Sequence, residues 1–199
     1  DLGRVETDRG NILPPEQTSS SKDYMRYAWD ESGISPRILP GQTASLIYAD
    51  SDEHTEAGHI TENAEVRKRL MDKRMRKIEG LKEEIGPPEI YPETKSDIVL
   101  VGWGSTYGAI KEAVDVMNRE GMKTQMVHFR EIYPFPPQDF LQKIARDTRV
   151  FAVENNFTGQ FADLFSGQIG VPIFHKVLKY DGRPFSPQEV VTEVKNSMG

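Results

Sequence analysis

Three groups of residues have types and spacing that bear on chemistry. The densest is Asp50-Ser51-Asp52-Glu53-His54-Thr55-Glu56-Ala57-Gly58-His59-Ile60-Thr61-Glu62, with two imidazoles and five carboxylates. His54 and His59 with neighbouring carboxylates are candidate ligands for a divalent cation. Their spacing matches neither a helical HExxH pair nor a calcium-binding loop, and Gly58 implies a turn. The preferred reading is an acidic loop whose carboxylates pair with arginines, nearby or on a neighbouring subunit.

The second group is Gly102-Trp103-Gly104-Ser105-Thr106-Tyr107-Gly108, which follows the β-branched run Asp97 to Val101. A buried strand turning on glycines into a helix leaves backbone N–H groups free at a helix N-terminus, so Gly104, Ser105 and Thr106 are candidate anion ligands. The spacing is G-x-G-x-x-x-G, one residue too long for the dinucleotide fingerprint. The next strand ends in His128, Phe129 and Arg130, with Glu131 just beyond, and offers no clear ribose-binding carboxylate. A plain structural turn is the preferred reading, and a free-standing nucleotide- or phosphate-binding module the alternative.

The third group lies at strand ends: Ser105, Thr106, Arg130, Glu154, Asn155, Asn156, Asp181 and Arg183. Parallel strands would bring all of these to one edge, where open α/β sheets place ligands and partners. Thr158-Gly159-Gln160 would start a helix facing the same crevice. His128 and His175 lie within apolar strand patterns, so they read as core or edge histidines, and no Ser–His–Asp set can be assembled.

These residues need a frame. Strands are expected over 97–102, 123–129, 149–154 and 173–179, and helices over 106–119, 137–146, 158–169 and 187–197. Strands separated by helices imply an α/β domain: an open, mostly parallel sheet with helices on both faces. Ser186-Pro187 supplies an N-cap followed by proline at the first helical position. Upstream, a short strand is expected over Ala44 to Ala49. A long helix is expected from Glu62 to Ile85, with Val66, Leu70, Met71, Met75, Ile78, Leu81 and Ile85 on one face, Thr61 or Asn63 as cap, and Gly86-Pro87-Pro88 as stop. The expected division is a loop-rich segment over 1–60, the tail of an upstream domain; a helix and linker over 61–96; and the α/β domain over 97–199. The polar stretch Asp1 to Ser21, which begins without methionine, reads as a piece of a longer polypeptide.

Composition narrows the function classes. Cysteine is absent, so the chain supplies no thiolate nucleophile, disulfide or cysteine ligand to an iron–sulfur cluster. Mean hydropathy is −0.58 and no apolar run approaches a membrane span, so a cytoplasmic protein is expected. Net charge is −6, which argues against nucleic acid as the main partner. The run Arg67 to Lys77 carries seven basic residues and one acid. Without interleaved aromatics it reads as the solvated face of a packed helix.

Seven motifs occur in one order: Gly33-Ile34-Ser35-Pro36-Arg37; Asp50 to His54 with Gly58 to Glu62; Asp72 to Lys77; Val101 to Thr106; Pro134-Phe135-Pro136; Val153 to Asn156 with Thr158 to Gln160; and Lys179 to Phe185. From about Tyr24 onward they resemble the C-terminal part of the alpha subunit of 2-oxoacid:ferredoxin oxidoreductases, particularly the 2-oxoglutarate type. The resemblance implies a transketolase-C-terminal-like domain. It also implies a complex that decarboxylates a 2-oxoacid on thiamine diphosphate, passes the acyl group to coenzyme A and reduces ferredoxin. The beta subunit would hold thiamine diphosphate and Mg2+ and carry or border the iron–sulfur cluster, leaving no cofactor on this chain. Substrate-facing residues of the alpha subunit lie mostly in its N-terminal domain, so no catalytic residue is carried over. The expected role is assembly, against a beta subunit and a second alpha subunit, with Asp52, Glu53, His54, Glu154, Asn155, Asn156, Asp181 and Arg183 as interface candidates.

Overall fold

The computed structural model describes residues 3, 7–18, 24–50, 52–144 and 147–199. Parts of the 1–21 stretch, Ser51 and the end of the helix expected over 137–146 lie outside the described residues. Contacts divide the chain into two compact units, Asp1–Glu83 and Glu84–Gly199. This differs from the expected breaks at 60 and 96. The long helix is tied by its side chains to the loops before it, and the expected linker contributes a strand to the sheet.

In the first unit, a short helix α1 (Pro15–Thr18) precedes loops and the helix α2 (Ala64–Lys82). The Asn63 side chain caps α2, accepting from the Glu65 and Val66 N–H groups at 3.0 Å each. No strand forms over 44–49, and Leu46 is 78% exposed. A short apolar run has no ladder partner there, and periodicity alone does not supply one. The apolar face expected of α2 is also mostly open: Leu70 is buried, whereas Met71, Met75 and Leu81 are exposed. Lys73, in the run expected to be solvated, is buried instead. Its ammonium donates to the Tyr27 carbonyl at 2.7 Å, the Ala28 carbonyl at 2.8 Å and the Ser35 hydroxyl. Three acceptors meet the requirement of a buried ammonium, which a sequence pattern does not register.

The second unit is the expected α/β domain. It comprises β1 (Glu89–Tyr91), β2 (Ile98–Trp103), α3 (Tyr107–Arg119), β3 (Thr124–Phe129), β4 (Arg149–Glu154), α4 (Gln160–Ile169), β5 (His175–Leu178) and α5 (Pro187–Met198). The sheet order is β1-β3-β2-β4-β5. Strands β3, β2, β4 and β5 are parallel, and β1 pairs antiparallel with β3 at the edge. Val99, Leu100 and Val101 are fully buried, because helices cover both faces. One face packs Leu100, Met126 and Phe151 against α3 and α5 through Ile110, Val114, Val190 and Val194. The other packs Val101, Phe129 and Ala152 against Phe140, Phe161 and Phe165. Full burial of each of the larger side chains, Val, Leu, Ile, Met or Phe, contributes about 1.5–3 kcal/mol. The helix expected over 137–146 is a 3-10 segment, Gln138–Lys143. It follows Pro134, Pro136 and Pro137 and is anchored by Phe140 in the core.

Candidate functional site

The carboxyl ends of β2, β3, β4 and β5 form the edge to which the sequence directed attention. At the end of β2, Gly102 is required by close approach. A Cβ there would sit 2.3 Å from Ile110 Cδ1 and 2.7 Å from Thr106 Oγ1. The glycine therefore lets α3 lie against the strand. A 3-10 turn, Gly104–Thr106, leads into α3. Of the three anion candidates there, Thr106 is buried and its hydroxyl donates to the Trp103 carbonyl at 2.9 Å; Gly104 and Ser105 are exposed.

His128 is buried beside this turn, its Nε2 3.2 Å from the Gly104 carbonyl oxygen. Burial lowers its pKa, which disfavours the charged ring. Tyr107 stands edge-on to it at 5.0 Å and donates its hydroxyl to Glu89 at 2.8 Å; Arg130 pairs with the same carboxylate at 3.4 Å. The hydrogen bond to Glu89 pushes the Tyr107 phenol above its ordinary range.

Glu154, at the end of β4, is the most informative residue of the edge. It is fully buried. Its carboxylate accepts from the Phe161 N–H at 2.9 Å, the Ala162 N–H at 2.8 Å and the Asn156 side-chain amide at 2.7 Å. Asn156 in turn accepts from the Gly159 N–H at 2.6 Å. The first turn of α4 is thus occupied by the chain's own anion. Glu154 was expected as an interface residue; it is fully buried, with its carboxylate engaged by the start of α4 and by Asn156. Asn155, Asp181 and Arg183 are exposed. They are joined through the Asn155 side-chain amide to the Arg183 carbonyl at 3.4 Å, and the Arg183 N–H to Asp181 at 3.0 Å.

Two exposed aromatics at this edge escaped the sequence reading. Phe157, 68% exposed, and Tyr180, 65% exposed, stand edge-to-face at 4.8 Å. Each is an aromatic set in a polar turn, the signal by which the sequence could have disclosed them. Beside Tyr180, an open groove of about 750 Å³ runs between β5 and α5, lined by Lys179, Phe185, Gln188 and Glu189 among others. Lys179 and Glu189 are paired across it at 2.5 Å.

The acidic loop belongs to the first unit and is a small hairpin, with a bridge between His54 and Ile60. Glu53 binds Arg67 at 2.8 Å and Arg74 at 2.7 Å, both on α2. The Arg74 guanidinium holds the Glu53 carboxyl below its ordinary range. His54 is buried, stacks on Tyr27 at 3.8 Å and lies 2.9 Å from the Thr55 carbonyl oxygen. His59 stacks instead on Tyr48, at 4.3 Å. Among the described residues no three potential metal ligands come together. Glu53 and His54 therefore hold the unit together internally, while Asp52 is exposed.

Comparison with known proteins agrees with this geometry. Residues 96–190 match the family model described as pyruvate:ferredoxin oxidoreductase core domain II. The 2-oxoacid:ferredoxin oxidoreductase subunit alpha of Saccharolobus solfataricus is 32% identical over 199 residues, covering 98% of this chain and 30% of that protein. The 2-oxoglutarate oxidoreductase subunit KorA of Mycobacterium tuberculosis is 28% identical over 188 residues, covering 90% of this chain and 28% of that protein. A solved structure, 2-oxoglutarate:ferredoxin oxidoreductase from Magnetococcus marinus with 2-oxoglutarate, coenzyme A and succinyl-CoA bound, superposes with a TM-score of 0.69 at 26% identity. The match covers 92% of this chain and 32% of that one. The chain thus spans less than a third of the length of these relatives.

Proposed function

This chain belongs to the alpha subunits of the 2-oxoacid:ferredoxin oxidoreductases, with core domain II over residues 96–190, and from that membership we propose that it is their assembly and interface domain. The whole enzyme would convert a 2-oxoacid, 2-oxoglutarate in the first instance, and coenzyme A to acyl-CoA and CO2, with the electrons passing to ferredoxin. The observation that carries this reading is similarity along 98% of the chain to an alpha subunit. Similarity to KorA and to the Magnetococcus marinus enzyme, both 2-oxoglutarate oxidoreductases, favours 2-oxoglutarate as the substrate.

The cofactors belong elsewhere in this proposal. The chain has no cysteine to ligate an iron–sulfur cluster, and the α4 amides that would suit a diphosphate are taken by Glu154. Thiamine diphosphate, Mg2+ and the cluster are therefore assigned to a beta subunit. What this domain supplies is position: a rigid sheet whose edge loops are fixed from within. Holding reacting groups in register is worth up to several kcal/mol of barrier. The proposed contact surface at the sheet edge is Asn155, Asp181 and Arg183 around the Phe157–Tyr180 pair, since exposed aromatics with arginine are the usual anchors of interfaces. In the first unit Asp52 is the exposed interface candidate. A second alpha subunit is a further proposed partner, and cytoplasmic residence forms part of the same reading. No helix among the described residues is long and apolar enough to cross a membrane.

Co-expression of the complete alpha subunit with its beta subunit should give 2-oxoglutarate- and coenzyme A-dependent reduction of a viologen dye. The 199-residue chain alone should give none. Phe157→Ala with Tyr180→Ala should release the beta subunit during purification while leaving the fold intact. Turnover by the isolated chain would overturn the interface role, and preference for pyruvate would overturn the choice of substrate alone.

A further inference from the structure

The first unit contains a recess of about 300 Å³ between α2 and the loop over residues 26–37. Five cationic side chains line it, Arg26, Arg37, Lys73, Arg74 and Lys77, and none of its described lining residues is acidic. The loop is strapped onto the helix at Gly33, where φ is +81° and a Cβ would meet the Lys73 carbonyl oxygen at 2.6 Å and the Lys77 nitrogen at 2.7 Å. This contact fixes Lys73 and Lys77, one helical turn apart, against the loop that carries Arg26.

Much of this charge is uncompensated. Arg74 is neutralised by Glu53 at 2.7 Å. Among the described residues Arg37 donates its guanidinium to the Arg9 carbonyl, a neutral acceptor. Arg26 lies over the Tyr27 ring at 5.1 Å, and neither it nor Lys77 has a carboxylate partner among the described residues. The nearest acids are engaged elsewhere: Glu56 with the Trp29 N–H at 2.9 Å and Arg69 at 3.4 Å, and Asp30 with Ser32. Burial depresses the Lys73 ammonium; Arg26 and Lys77 push the same way, and Glu56 and Asp30 oppose them. Positive charges crowded in a partly desolvated recess are the condition in which a polyanion is bound strongly.

We propose that this recess is an anion site that takes a phosphate or diphosphate group of a small molecule. Arg26 and Lys77 contact it directly, and the buried Lys73 supplies charge from beneath. Lys73 spends its donors on Tyr27, Ala28 and Ser35, so it acts through the field and not as a ligand. Guanidinium and ammonium groups with free N–H donors suit phosphoryl oxygens.

The test is calorimetric titration of the 199-residue chain with inorganic pyrophosphate at constant ionic strength, with citrate as the carboxylate arm. Pyrophosphate should bind saturably, and citrate more weakly. Arg26→Gln together with Lys77→Gln should weaken binding at least about tenfold, the loss expected for charge-assisted contacts. Lys77→Gln alone, at an exposed position that does not threaten folding, should weaken it about threefold or more on the same basis. Lys68→Gln, on α2 but outside the recess, should leave it within about twofold, as expected of a screened distant charge. Absence of pyrophosphate binding, equal loss with Lys68→Gln, or tighter binding of citrate would each overturn the proposal.

Discussion

Replacing Glu154 with alanine tests whether the chain's own carboxylate organises the sheet edge. The substitution leaves the Phe161 and Ala162 N–H groups buried without an acceptor. Each such orphan costs about 1–3 kcal/mol. The lost charge at the α4 N-terminus adds about 0.3–1 kcal/mol. Against this, the carboxylate's own desolvation, several kcal/mol in principle, is no longer required. The balance is a destabilisation of about 3 kcal/mol, since the three hydrogen bonds at 2.7–2.9 Å already offset most of that desolvation. The second unit has 116 residues, 199 less 83. For a domain of that size about 3 kcal/mol lowers Tm by roughly 10–20 °C. Glu154→Gln, which keeps one acceptor oxygen but turns an amide towards N–H donors, should cost about 2 kcal/mol. Urea and thermal unfolding followed by circular dichroism would measure both, and Asn156→Ala would close a double-mutant cycle on the 2.7 Å contact. If Glu154→Ala changes stability by less than about 1 kcal/mol, the carboxylate is not what holds the α4 amides.

Gly33→Ala should destabilise the first unit by about 2–4 kcal/mol, because a left-handed φ and two backbone clashes leave no cheap relaxation. Accelerated amide exchange in α2 is the expected readout, and unchanged protection would refute it. Glu189 carries a pH signature. The Lys179 ammonium, and then the Ser186 N–H and hydroxyl, lower its carboxyl pKa from 4.5 to about 2. A depressed carboxylate contributes stability that is fully present above its unfolded pKa and disappears as pH falls through its folded one. The gap in urea midpoint between the natural chain and Glu189→Gln should therefore close between pH 4.5 and about 2. A gap that persists at pH 2 would contradict the assignment.

Local periodicity carried most of the α/β half. β-branched runs such as Ile98–Val101 bury on both faces wherever helices cover a parallel sheet, and the helix starts were marked by Ser186-Pro187 and by Gly159. The antiparallel β1 was not legible, because a three-residue edge strand has too few side chains to show a period. In the first unit the sequence misled: Met71 and Met75 follow the helical stripe and yet face outward, while Lys73 goes in. The site residues divide the same way. Asn155, Asp181 and Arg183 fall on the exposed edge, but Glu154 turns inward to the N–H groups that open α4, Glu53 to the α2 arginines and His54 to the Tyr27 ring.

The order of residues by itself determined the alternation of strands and helices, the caps and glycine turns, and the lack of any thiol. Those are properties of neighbours a few positions apart. Which charges are buried, which carboxylate fills the start of α4, and which cations gather around the recess were decided only by tertiary structure. The cost of burying a charge is met by partners such as Tyr27, Ala28 and Ser35 for Lys73. Nothing in the local pattern announces that those three will be there.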